Sequence, residues 1–255
     1  MTGRICRIHW LKYLTASLVF ALGAIALSLP TQAQEISVGF GDDANLTERA
    51  VQLVILLTVL SLAPSILVMV TSFTRIVVVL SLLRSAIGLQ TAPPNMVMVS
   101  LALFLSAFIM MPTLQAAYDA GIQPLIDGDI EIDQAYERAS EPFRDFMLSQ
   151  VREKDLMLFQ ELSGRDAPET PEDLEMAVLI PAFMISELRR AFEIGFLLYL
   201  PFLIIDLVIA SVLMSMGMMM LPPVVISLPF KLIFFVLVDG WNLVAGSLVK
   251  SFGGG

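Results

Sequence analysis

The residue types that most often hold metal ions or act as nucleophiles are nearly absent from this 255-residue chain. Its only cysteine, Cys6, and its only histidine, His9, both lie within residues 1–33. This stretch has the pattern of a secretory signal: a basic start, an apolar run and the small-residue sequence Thr31-Gln32-Ala33, with cleavage before Gln34. The alternative is an uncleaved membrane anchor. A chain without these two residues has no Cys or His nucleophile, no disulfide and no thiolate or imidazole metal ligand. We therefore expect no catalytic residue, no metal and no cofactor.

The remaining chemistry lies in ionisable side chains within apolar stretches. An unpaired charge in hydrocarbon costs at least about 2.5 kcal/mol, so each of these residues needs a partner, water or the membrane interface. Asp206 has no charged residue within twelve positions on either side. Glu187 and Lys231, one in each of two C-terminal helices, are expected to pair with each other. The other charges expected at membrane depth are those of Asp239, Arg75 and Arg84.

Two functions remain open for these charges. Asp206, Glu187 and Lys231 could relay protons or ions in a secondary transporter or ion channel. Asp206 and Asp239 could instead form an intramembrane aspartyl protease, because paired aspartates activate water when one of them keeps its proton. The sequence has no evident inverted repeat and no protease-like motif around either aspartate, which disfavours both functions.

A cluster of methionines marks a third candidate site. Five of the seven residues from 214 to 220 are methionine, and Leu221-Pro222-Pro223 follows them. Methionine is unbranched and deformable, so it seals against irregular shapes. A ring of such loops, one from each subunit, could form a compliant hydrophobic constriction. The alternative is a methionine-rich turn in a core. The predicted gating residues are Met216, Met218, Met219 and Met220.

The elements that must position these residues are apolar helices. The chain is 57% hydrophobic and 15% charged, with a mean hydropathy of +0.82, which predicts an all-α, polytopic membrane protein. Pro93, Pro94 and Asn95 must break one helix and Pro222-Pro223 a second, and Pro201 is expected to interrupt a third. Broken helices and many charges indicate an oligomeric assembly. The net charge of −9 leaves no basic face for nucleic acid.

Charge divides the chain into four predicted regions. Residues 119–175 contain 16 acidic and 5 basic residues, with apolar residues at helical spacing, and predict amphipathic helices outside the membrane. Counting spans from an exported N-terminus places this acidic segment on the periplasmic side, with Arg75 and Arg84 inside. The predicted regions are the signal (1–33), an apolar helical region (34–118), the acidic segment (119–175) and a C-terminal helical hairpin with the methionine-rich loop (176–255).

Two long blocks resemble the FliP family, core proteins of the bacterial flagellar type III export gate. Residues 71–106, TSFTRIVVVLSLLRSAIGLQTAPPNMVMVSLALFLS, resemble the first block of the family, and residues 180–249, which include MGMMMLPP and DGWNL, resemble the second. The resemblance implies a structural pore subunit in the inner membrane, in the flagellar basal body. It further implies a homopentamer that joins FliQ-type and FliR-type proteins in a helical cone, beside FlhB-type and FlhA-type export proteins, and passes unfolded flagellar proteins.

The resemblance also assigns roles to particular residues. The methionine gasket of the family corresponds to Met218 and Met219, with Met220 adjacent. Its ion pair between helices corresponds to Glu187 and Lys231. Its PPN element corresponds to Pro93, Pro94 and Asn95.

Overall fold

A computed structural model describes residues 46–164, 174–218 and 220–253, and within these ranges every regular element is helical. The expected all-α class is thus confirmed, while the predicted signal, residues 1–33, lies outside the described residues. A short π-helical turn, Tyr118–Ile122, joins the third helix to the fourth. The helices are α1 (Leu46–Val70), α2 (Phe73–Ile87), α3 (Asn95–Ala117), α4 (Gln123–Asp127), α5 (Ile132–Gln150), α6 (Glu153–Ser163), α7 (Met176–Ser215), α8 (Pro223–Leu237) and α9 (Gly240–Gly253).

Two of the described helical stretches are long and apolar enough to cross a membrane. One runs from Asn95 to Asp127 and the other is the 40-residue helix α7. Helices α8 and α9 qualify together as a third, although they are bent by 63° where they meet. The rest of the chain buries only 28% of the apolar window in the first stretch and 11% of that in α7. Lipid or other subunits must therefore cover most of this apolar surface.

Prolines break the helices at two of the three expected places. Pro93 and Pro94 lie in the connection between α2 and α3, and Pro223 is the first residue of α8, where its fixed φ suits a helix start. The prediction for Pro201 is wrong, because α7 continues through it. One proline removes a single hydrogen bond of the helix ladder, which long membrane helices tolerate when neighbouring groups satisfy the freed carbonyl.

Two hydrophobic clusters join most of the helices that are described from Thr58 onward. The larger one packs α2 against α3, α7, α8 and α9, around Val79, Leu83 and Ala191. The smaller one, around Met147 and Phe183, packs α5 of the acidic segment against the N-terminal part of α7. Helix α7 is therefore the element that both clusters share.

Helices α2 and α7 approach each other closely at Gly195. An ideal Cβ built on this residue would lie 3.2 Å from the Cβ of Leu82 and 2.3 Å from its Cδ1. Any side chain larger than hydrogen would therefore push the two helices apart or force Leu82 out of its rotamer. Gly246 on α9 is a glycine in open space, with no atom within 4 Å of the same built position.

We predict that Gly195→Ala destabilises the protein by about 1 to 3 kcal/mol relative to Gly246→Ala, because both changes raise helix propensity but only the first overpacks a contact. Thermal unfolding of the purified full-length variants in detergent measures the difference. Leu82→Ala should restore stability to the Gly195→Ala variant. Equal stability of the two alanine variants would contradict the close approach.

Candidate functional site

A buried arginine on α2 connects four helices. The side chain of Arg75 has no solvent exposure, and its Nε donates to Glu187 Oε2 on α7 at 2.9 Å. Its Nη2 donates to the other Glu187 carboxylate oxygen and, at 3.1 Å, to Gln150 Oε1 at the end of α5. Its Nη1 donates to the carbonyl oxygen and the hydroxyl of Ser251 on α9, at 3.2 and 3.1 Å. All five N–H donors of the guanidinium thus have acceptors. The guanidinium also lies 3.7 Å from the ring centroid of Phe252.

A second buried cation connects the two helices that flank the methionine-rich loop. Lys231 on α8 donates from Nζ to Asp206 Oδ2 on α7 at 2.7 Å and to the carbonyl oxygen of Ala86 at 3.2 Å. Ser227 donates its hydroxyl to the other carboxylate oxygen of Asp206. Ala86 lies in the last turn of α2, where carbonyls lack helical partners and attract cations. This cluster therefore fixes the α7–α8 hairpin to the end of α2.

The expected pair between Glu187 and Lys231 does not form within the chain. Each residue instead bonds to a different partner, Arg75 for the first and Asp206 for the second. The two guanidinium nitrogens of Arg75 match the two oxygens of the Glu187 carboxylate, a geometry that a lysine cannot supply. Arg75 was expected at membrane depth, but nothing in its local sequence indicates partners 75, 112 and 176 positions away. Gln150, Ser227 and Ser251 have no sequence signal that singles them out.

The remaining predicted charges lie in the last turn of α2 and in the connection between α8 and α9. Arg84 donates from Nη1 to the carbonyl oxygen of Pro93 at 3.4 Å and to Asn95 Oδ1, so it holds the predicted PPN element against α2. Asp239 lies between α8 and α9 with φ of +51° and is exposed. Its backbone N–H donates to Val236, and its carbonyl accepts from Leu243. Asp206 and Asp239 therefore occupy different settings, one paired with a cation and one exposed at a bend.

The methionine-rich loop is short and has a defined backbone at its start. Gly217, with φ of +73°, follows the end of α7, and its N–H donates to the carbonyl of Met214 at 3.1 Å. The N–H of Met218 donates to the carbonyl of Leu213 at 3.0 Å, which completes a Schellman cap that a side chain with a Cβ would strain. Met216, Met218 and Met220 are 60%, 45% and 98% exposed, while Met219 lies outside the described residues.

A third polar cluster joins the turn between α5 and α6 to α7. Ser186 donates its hydroxyl to Asp155 Oδ2 at 2.6 Å, and Arg152 donates to both oxygens of the same carboxylate at 2.8 Å. Burial raises the pKa of Asp155, but these hydrogen bonds and the charge of Arg152 outweigh it, and the pKa lies below its usual value. The cluster therefore stabilises the fold above a pH of about 4, and this stabilisation is lost as the pH falls through the lowered pKa.

Comparison with known proteins finds a family and several relatives with similar sequences. A model of the FliP family matches residues 56–248. The chain is 62% identical over 241 residues to the flagellar biosynthetic protein FliP of Caulobacter vibrioides, and the matched region covers 93% of this chain and 91% of that protein. It is 52% identical over 217 residues to the protein of the same name from Bacillus subtilis, with coverage of 85% and 98%. The corresponding protein of Aquifex aeolicus is 48% identical over 237 residues, with coverage of 92% and 97%.

We predict that the two observed ion pairs couple energetically, whereas Glu187 and Lys231 do not. Arg75→Met or Glu187→Met alone should destabilise the protein by about 3 to 5 kcal/mol, because each leaves a buried charge unpaired. The double variant should lose less than the sum of both, and so should the pair Asp206→Leu and Lys231→Met.

The matched control combines Glu187→Met with Lys231→Met, whose effects should add within about 0.5 kcal/mol because the two side chains share no partner. Unfolding of the purified full-length variants in detergent gives all three double-mutant cycles. Strong coupling in the control cycle, with additivity in the other two, would refute the observed pairing.

Proposed function

This chain belongs to the FliP family, and we propose that it is a structural pore subunit of the flagellar type III export gate, which passes unfolded flagellar proteins across the inner membrane. It is a component of flagellar export and not an enzyme. Its proposed partners are further copies of itself in a homopentamer, FliQ-type and FliR-type gate proteins, and FlhB-type and FlhA-type export proteins. Its proposed cargo is an unfolded chain, for which a deformable apolar lining suits many sequences.

The observation that carries this proposal is the exposure of the methionine-rich loop. Met216, Met218 and Met220 are exposed at the end of a hairpin whose two helices are locked by the Asp206–Lys231 pair. Exposed apolar side chains on a firmly held turn support a role in contact with something outside the chain. In a closed ring of copies, these side chains would meet at the axis and exclude water, and they would deform around a passing chain.

The uncovered apolar surface supports an assembly of several copies. Most of the apolar window in α7 is not buried by its own chain, although the same helix carries Glu187, Arg189, Arg190, Glu193 and Asp206. A helix with this mixture is poorly suited to lipid on all sides, because exposed charges in hydrocarbon are costly. Packing against neighbouring subunits would cover the apolar residues and keep the exposed Arg189–Glu193 pair near polar surroundings.

The proposed orientation places the acidic segment in the periplasm. Most of this segment lies between the end of the candidate crossing Asn95–Asp127 and the start of α7. The end of the first crossing and the start of the second are therefore on the same side of the membrane as the segment. Arg84 lies before the first of these crossings, on the opposite side, as the excess of basic residues in cytoplasmic connections favours.

The gasket is tested by replacing Met218, Met219 and Met220 with serine. We expect the gate to assemble but to leak, because hydroxyl groups stabilise water in a constriction that methionine keeps dry. Ion conductance of the gate, purified with its partners and placed in planar bilayers, measures the leak. The control is Met157→Ser, an exposed methionine on α6 that should leave conductance unchanged. An assembled triple variant that conducts no more than this control would contradict the gasket.

A further inference from the structure

A small groove lies where the connection between α2 and α3 meets α8 and α9. Its volume is about 250 Å³, and Arg84 is the only charged residue in its lining. The other lining residues are apolar, and several of them belong to the buried core. The groove opens past Val236 and Trp241, which are 75% and 42% exposed. The residues that form its buried apolar floor are Leu83, Ile87, Met98 and Phe235.

Arg84 is held in place, and the residues that the structure describes give it no counter-charge. Its Nη1 bonds to two neutral acceptors, the carbonyl oxygen of Pro93 and Asn95 Oδ1, which fix the guanidinium beside the groove. In the described part of the chain, no carboxylate lies within 4.0 Å of its nitrogens. Arg75, Lys231 and Arg152 each have a carboxylate partner, and half-buried Arg84 has none in the same part of the chain. An anion is the natural complement to its remaining N–H donors.

We propose that this groove binds an anionic phospholipid, with the lipid phosphate at Arg84 and one acyl chain along the apolar floor. The guanidinium fork suits two phosphate oxygens, and basic pockets between membrane helices bind lipid head groups. Trp241 at the mouth has the amphipathic ring that favours the boundary between head groups and acyl chains. The exposed apolar rim at Val236 allows a chain to enter laterally from the bilayer.

The shape of the groove favours a lipid over a soluble anion or a second copy of this chain. A soluble phosphate would gain nothing from a floor made of Leu83, Ile87 and Phe235. A second copy would have to place a carboxylate at Arg84 and an apolar side chain on the floor at the same time. A phospholipid carries both groups in one molecule and is always present at a membrane surface. This proposal is independent of the role of the methionine-rich loop.

Trp241 provides a reporter inside the proposed site. The only other tryptophan is Trp10, so Trp10→Phe leaves Trp241 as the single tryptophan of the full-length chain. This protein is placed in vesicles of unlabelled phosphatidylcholine. Rising fractions of a quencher lipid are added, which is either phosphatidylglycerol or phosphatidylcholine with a doxyl group on its acyl chain. We expect the labelled phosphatidylglycerol to reach half-maximal quenching at about one fifth of the fraction that the labelled phosphatidylcholine needs. This factor is what one arginine near a membrane surface contributes to the binding of an anionic lipid.

Variants at Arg84 identify the source of this preference. Arg84→Gln should make both lipids quench at the same fraction, and Arg84→Lys should keep part of the difference because it retains a point charge. Arg189→Gln removes an exposed cation from α7 and should leave the preference unchanged. Retention of the full preference by Arg84→Gln would overturn the proposal.

The quenching measurement on the protein that retains Arg84 is decisive by itself, even if a variant at this position fails to fold. Equal quenching by the two lipids would mean that the head group is not recognised. No quenching by either would mean that protein covers the groove, as a second copy would. Displacement of the labelled lipid by soluble glycerol 3-phosphate would mean that the site binds the anion without the acyl chain. Each of these three results would overturn the proposal.

Discussion

The burial of one guanidinium group constrains the fold more than any other interaction. Arg75 is removed from water, and a charge in that position is tolerated only if its hydrogen bonds are all satisfied and a counter-charge is adjacent. Its acceptors come from α5, α7 and α9, so these three helices must be docked on α2 at the same time. Any arrangement that leaves one of them out leaves a charged donor unpaired. The pair with Glu187 thereby selects one packing of the helices among many that are equally apolar.

Helix α2 connects this hub to the candidate gating loop. Arg75 lies near the start of the helix, and the carbonyl of Ala86 near its end accepts from Lys231, which also binds Asp206. The two ends of α2 therefore hold the acidic segment and the α7–α8 hairpin. Because Gly195 lets α7 approach Leu82 between these ends, the three elements form one packed unit. The methionine-rich loop extends from this unit and is fixed at its start by the cap at Gly217.

Local patterns predicted the elements well and their partners poorly. The all-α class and the breaks at Pro93-Pro94 and Pro222-Pro223 follow from composition and from the missing N–H of proline, which act locally. The cost of burying a charge correctly indicated that Glu187, Lys231, Arg75 and Asp206 need partners. It could not say which carboxylate meets which cation, because that depends on how distant helices pack, and the expected Glu187–Lys231 pair does not form within the chain. Pro201 shows the same limit, since a proline signals a lost hydrogen bond but not whether a long helix tolerates it.

Hydrogen–deuterium exchange of the purified full-length protein, with and without Arg75→Met, tests the central role of Arg75 most directly. If this residue holds four helices together, exchange should increase in α2, at the end of α5 near Gln150, in α7 near Glu187 and in α9 near Ser251. A rise in exchange confined to α2, with unchanged protection around Gln150 and Ser251, would contradict that role.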